Sequence, residues 1–201
     1  MAPAEPDPPA HPDSPAHPDP PTRPGLPGTD GASAPDWWED EELATAVAEV
    51  EEFAGAGGWD APAQLFALVE TAQLLAAEPG LAGTVGGTYT PIAQDQLPEG
   101  DLHDALAQIS WPDEVAGCIL VQEIVVLPPE VGAELPDDPV EAARQAAEHP
   151  ERTEARLVAG VLRDVRGGAC LLRVRGDDTA PLRGADLAPN LLTALRMTFE
   201  G

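Results

Sequence analysis

Gly117-Cys118-Ile119-Leu120-Val121-Gln122-Glu123-Ile124-Val125-Val126-Leu127 is the stretch that decides the fold. Successive side chains of a strand point to opposite faces. One face then carries Cys118, Leu120, Gln122, Ile124 and Val126; the other carries Ile119, Val121, Glu123, Val125 and Leu127. Both faces are mainly apolar and β-branched, which predicts a strand inside a sheet covered on both sides. Pro128-Pro129 stops it. Downstream, 156–165 and 169–175 predict a hairpin around Gly167-Gly168, a two-residue turn able to adopt positive φ. In that register Val161 faces Val174, Arg163 faces Leu172, and Val165 faces Cys170, with Arg173 and Arg175 on the opposite face.

Helices surround these strands. Leu43, Val47, Val50 and Ala54 form one helical face, with Asp36 as the expected cap and Gly55, Gly57 and Gly58 at the end. Leu65-Phe66-Ala67-Leu68-Val69 reads as a buried strand, followed by a short helix capped by Thr71. Residues 81–100 read mainly as loop, with a strand turn near Tyr89. Short helices are expected from Asp101 and from Asp138-Pro139, the latter with an N1 proline. Leu187, Leu191, Leu195 and Phe199 mark a C-terminal amphipathic helix capped near Asp186. The order predicts a single α+β domain over 37–201, built on an antiparallel sheet.

The charge is −26 over 201 residues, and it is unevenly distributed. Residues 37–151 hold 24 acids against one Arg, whereas 152–201 hold 8 Arg against 6 acids. There is no Lys. Such acidity opposes binding to a phosphate backbone, so no nucleic-acid partner is expected. No apolar run reaches the ~18 residues of a membrane span, and no leader pattern opens the chain. The reading is a soluble cytoplasmic protein. Residues 1–36 hold 12 of the 24 prolines and almost no large apolar side chain, which predicts a disordered tail. Nine of those prolines recur at every third position from Pro3 to Pro27, the period of a polyproline II helix. That stripe reads either as a docking motif for an aromatic groove or as a stiff spacer.

Three blocks carry a resemblance: Gly58-Trp59-Asp60 running to Leu65-Phe66-Ala67-Leu68-Val69; Trp111-Pro112-Asp113 running to Ala116-Gly117-Cys118; and His149-Pro150 followed by Arg156-Leu157-Val158-Ala159-Gly160-Val161-Leu162-Arg163-Asp164. In this order they resemble an uncharacterised protein family of actinobacteria over roughly residues 40–200. The resemblance implies no activity, cofactor or catalytic residue. The element order is also similar to secretion-chaperone-like α+β folds, in which the sheet serves dimerisation.

The chemistry is defined largely by what is missing. Without Lys there is no P-loop lysine and no Schiff base. Ser14, Ser33 and Ser110 are the only serines, and none stands in a Gly-x-Ser-x-Gly elbow. Cys118 and Cys170 lie in apolar runs and read as small buried hydrophobes, while His103 and His149 read as surface or helix-end residues. No Cys or His spacing suits zinc, and the 39–42 acid run lacks the pattern of a calcium loop. Neither a metal nor a cofactor is expected.

Glu123 is the anomaly, a carboxylate on an apolar strand face where an unpaired charge is costly. It reads as paired with Arg156, Arg163 or Arg173, as open to solvent, or as the polar group of a ligand pocket. Trp37-Trp38 are adjacent indoles that cannot share one helix face, so one is available to a partner. The leading expectation is a non-enzymatic interaction or adaptor protein, binding a protein partner or a second copy through a sheet face or the first helix. Its binding residues are drawn from Trp37, Trp38, Glu123, Arg173 and Arg175. The alternative is a small-molecule enzyme using a Glu123/Arg pocket, with His103 or Cys118 assisting. A third reading is nucleic-acid mimicry by the acidic 37–151 segment.

Overall fold

The computed structural model describes residues 40–98, 100–136 and 138–200. The tail, Asp36, Trp37 and Trp38 lie outside the described residues. Six strands form one antiparallel sheet: β1 Gln64–Glu70, β2 Tyr89–Ala93, β3 Val115–Val126, β4 Thr153–Leu162, β5 Ala169–Val174 and β6 Leu182–Arg183, in the order β2-β1-β3-β4-β5-β6. Among the described residues the six α-helices are α1 Glu41–Ala56, α2 Thr71–Ala77, α3 Leu102–Leu106, α4 Pro129–Gly132, α5 Pro139–Glu148 and α6 Pro189–Met197. The architecture is α+β, as the sequence predicts. Among the described residues, no helix is long and apolar enough to cross a membrane.

The decisive strand β3 lies between β1 and β4, with helices over both its faces. Ile119 and Val121 pack beneath Leu43, Val47 and Val50 of α1. Cys118 and Leu120 pack with Leu106 of α3 and Leu192 and Leu195 of α6. Each large apolar side chain removed from water in this way contributes about 1.5–3 kcal/mol.

Helix α1 starts later than expected. Asp40 caps it, its Oδ1 accepting the Leu43 N–H at 2.9 Å, so Asp36 does not. Gly58, at φ +89°, turns the chain out of the helix. Two other caps are also corrected. Glu70 holds the N-cap position of α2, and the Thr71 hydroxyl instead bonds the Thr90 hydroxyl at 2.8 Å. Helix α6 starts at Pro189 after Ala188, with Asp186 in a preceding 3₁₀ turn.

The hairpin register differs by six residues. Gly160 faces Ala169, Leu157 faces Leu172 and Ala155 faces Val174, leaving 163–168 as the connection. A two-residue turn of that type needs positive φ at both central positions. Gly167 has it at φ +101°, but Gly168 does not. Gly168 is a packing glycine: a Cβ there would stand 2.7 Å from Leu192 Cδ2 and 2.8 Å from the Gly160 carbonyl. Because six is even, every side chain keeps its predicted face.

Both sheet edges are blunted. On either side of β2, the Gln94 N–H bonds the Leu65 carbonyl of β1 and the Thr88 carbonyl accepts from Thr71 just past it, so Tyr89, Pro91 and Ala93 turn their backbone groups outward. Pro91 offers no donor there, and β6 is only two residues long.

Candidate functional site

Register places Glu123, Arg156 and Arg173 directly opposite one another across β3, β4 and β5, in one row on the α1 face. Two arginines facing each other repel. The fold offsets this by supplying a carboxylate to each. Glu123 Oε1 lies 3.6 Å from Arg156 Nη2, and Glu51 of α1 takes Arg173 as a bidentate fork at 2.5 and 2.9 Å. That fork pushes the Arg173 pKa upward. Arg156 is buried and also donates to the Gly58 carbonyl.

The loop between α1 and β1 closes over this row. The Trp59 ring contacts two guanidinium groups, Arg156 at 4.5 Å and Arg175 at 5.4 Å from its centroid. Asp60 is the one non-glycine residue with positive φ among the described residues, at +66°. Three bonds hold it there. Its N–H donates to Glu123 Oε2 at 2.9 Å, and both its carboxylate oxygens accept from Arg175, at 2.9 and 3.0 Å. Arg175 also reaches Glu154 at 2.7 Å. The loop is therefore pinned by Glu123 of β3, Arg156 of β4 and Arg175 just past the end of β5.

Three cavities surround it. One of 430 Å³ lies between Phe53, Pro62, Gln64, Glu123 and Arg156. A second, of 480 Å³, is also lined by Arg156, together with Trp59, Glu51 and Arg173. A third, of 350 Å³, runs from Ala61 and Pro62 past Glu123 to Leu97 and Leu102. Phe53 is 65% exposed at the edge of the first.

Of the residues expected to bind, Glu123, Arg173 and Arg175 share the α1 face. Glu123 touches Arg156 rather than either of the other two. Arg163 lies at the far end of β4, donating to the Val115 and Pro112 carbonyls and capping the Phe199 ring. Trp37 and Trp38 fall outside the described residues. Cys118 and Cys170 are buried, and burial pushes both thiols up to about 12, which leaves them protonated and inert near neutrality. His103 lines a separate 190 Å³ depression against α6, and His149 ends α5, its Nδ1 accepting the Glu151 N–H.

Sequence reasoning missed Trp59, Asp60, Glu51 and Phe53. Two of these had visible signals. Phe53 is a large aromatic off the Leu43–Val47–Val50 stripe, and Glu51 is an acid on its buried side.

Asp60 gives the site a pH signature. The Arg175 fork holds its carboxyl below the ordinary carboxylate range, so the fold favours the ionised form. Its stabilisation is complete above the unfolded value of about 3.9 and is lost as pH falls through the lower folded value. Asn tolerates the left-handed backbone, so Asp60→Asn isolates the charge. Its melting temperature is expected below wild type at neutral pH, with the two curves converging on acidification. A constant gap would contradict the assignment.

The three blocks of the resemblance also occupy defined places. Gly58-Trp59-Asp60 forms the pinned loop, and the Arg156–Arg163 stretch supplies its floor in β4. Trp111 stacks on Phe199 at 5.9 Å and donates to the Thr198 hydroxyl, anchoring the end of α6. No curated protein and no solved structure matches the chain. The model of the PPA1309-like proteins matches residues 43–200. The chain therefore belongs to the PPA1309-like protein family.

Proposed function

We propose that the chain is a non-enzymatic interaction module that holds a protein partner against the C-terminal half of α1 and the adjoining 57–63 loop. One observation carries this reading: Phe53 stands 65% exposed between two cavities, on a helix whose other large apolar side chains are buried. Exposed aromatic anchors beside pockets are the usual high-energy contacts of protein interfaces. Pairing through the sheet is less well supported, because helices cover its faces and Pro91 and brevity blunt its edges.

The test is retention of lysate proteins on the immobilised full chain, comparing wild type with Phe53→Ser by quantitative mass spectrometry. At least one protein held by wild type is expected to fall by about tenfold with the variant. Identical retained sets would sink the reading.

The second reading, a small-molecule enzyme using Glu123 with Arg156, draws on their meeting in one cavity. Such an enzyme would work without His103 or Cys118, since one lines a separate depression and the other is buried.

A further inference from the structure

We infer that the groove between α1 and β2 receives a basic segment of a partner protein, placing an apolar side chain against Phe53 and an arginine or lysine against Glu49. The inference rests on the interaction-module reading and specifies its partner. The groove encloses 290 Å³ between Val50, Phe53, Phe66, Pro91 and Ala93, with Glu49 its acidic wall. That volume sits at the lower edge of the ~300–1,000 Å³ of small-molecule sites, and Glu49 is the one charged residue of its otherwise apolar lining.

Charge selects the rest of the occupant. A helix favours carboxylates in its first turn and cations near its end, where unsatisfied carbonyls gather. Helix α1 follows the first half of that rule with Glu41 and Glu42, then breaks the second, with no basic residue in its last turn. Glu49, Glu51 and Glu52 all lie in its second half. Glu51 is offset by Arg173, but Glu49 and Glu52 are exposed and form no ion pair among the described residues. Three positions apart, they are also neighbours on the helix surface and repel. Beyond them, Asp40, Glu70 and Glu42 add to burial in raising the Tyr89 pKa, so the surroundings of Tyr89 at the start of β2 are also negative. Glu52 lines the cavity that holds Arg156 and Arg173, so Glu49 is the carboxylate left facing the groove, where a cation from outside relieves the conflict.

The same charges argue against a second copy. A two-fold contact sets a patch against itself, bringing Glu49 against the Glu49 of the second copy. Strand addition at β2 is hindered by Pro91. Side-chain anchoring of a basic segment remains.

Fluorescence anisotropy with short labelled peptides tests the occupant: a central Leu flanked by Arg, against counterparts with Ser or Glu replacing Arg. The Arg peptide is expected to bind the full chain at least about tenfold more tightly than the Ser peptide, with the gap closing at high salt. Phe53→Ser should weaken it about tenfold, and Glu49→Gln should erase the preference for Arg. Circular dichroism melts establish that these surface variants stay folded. Equal affinity for Arg and Ser peptides, or binding indifferent to these substitutions, overturns the basic occupant. If that happens while Phe53→Ser still releases a lysate partner, the interaction module stands and only the occupant falls. Specific Arg-peptide binding supports the occupant whether or not a lysate partner is recovered.

Discussion

Arg156→Met is expected to destabilise the domain by about 3–5 kcal/mol, the range for breaking a buried ion pair from one side. The Arg156 side chain is 3% exposed and that of Glu123 is 20% exposed, so removing the guanidinium strands a carboxylate facing α1. Glu123 Oε1 has no hydrogen bond even in the intact site and depends on Arg156 at 3.6 Å for its compensation. Met preserves most of the apolar stem, so the loss reports charge rather than volume. Glu123→Leu alone should cost less, because Arg156 keeps the Gly58 carbonyl and the Trp59 ring. The double variant Arg156→Met/Glu123→Leu is expected within about 1–2 kcal/mol of wild type, since an apolar replacement of both partners leaves no unpaired charge and removes only the bonds to the Gly58 carbonyl and the Asp60 N–H. Urea unfolding of the four proteins gives the coupling energy directly. Additive single effects would mean that the two side chains do not act as a pair.

This pair also marks how far the sequence could be read. Glu123 was visible as an anomaly because strand alternation alone puts it on an apolar face. Its partner was not, because three arginines were available and the hairpin register was displaced. The displacement came from reading Gly167-Gly168 as turn residues, whereas Gly168 is required by Leu192 of α6, a contact made from 24 residues away in the chain. Even so, the face assignments of Arg173 and Arg175 survived, since a shift of six residues preserves alternation. The stripe of α1 and the double-faced apolar pattern of β3 were legible because local periodicity determines them. Asp60 was not legible. Nothing local demands positive φ of an aspartate directly after Gly57-Gly58-Trp59, and the arginine that holds it lies 115 residues on. Short elements such as α4 and β6 escaped for a related reason: four and two residues carry no measurable period.

Gly160→Val separates local preference from tertiary packing most sharply. Gly160 lies inside β4, where Val is intrinsically favoured over Gly by up to about 1 kcal/mol. The site predicts the opposite sign. A Cβ on Gly160 would meet Val47 Cγ2 at 2.8 Å, Ile119 Cγ1 at 3.0 Å and Leu43 Cδ1 at 3.2 Å. Two of those atoms belong to stiff β-branched side chains, and all three lie in the core that α1 forms with the sheet. Val adds two further methyl groups to that space. Moving α1 outward would weaken the whole contact, so a destabilisation of about 3 kcal/mol or more is expected from overpacking. Gly86→Ala serves as the control, since a Cβ there meets nothing within 4 Å and its effect should stay within about 0.5 kcal/mol. Val47→Ala removes the nearest clash at the cost of a cavity. In the Gly160→Ala background that cavity is filled by the new methyl, so the double variant should lose less than the two single variants together. Chemical denaturation of the series measures each step. A Gly160→Val protein as stable as wild type would mean that α1 does not rest on β4 as closely as these distances require, and the position of Phe53 and the 57–63 loop at the end of that helix would lose its support.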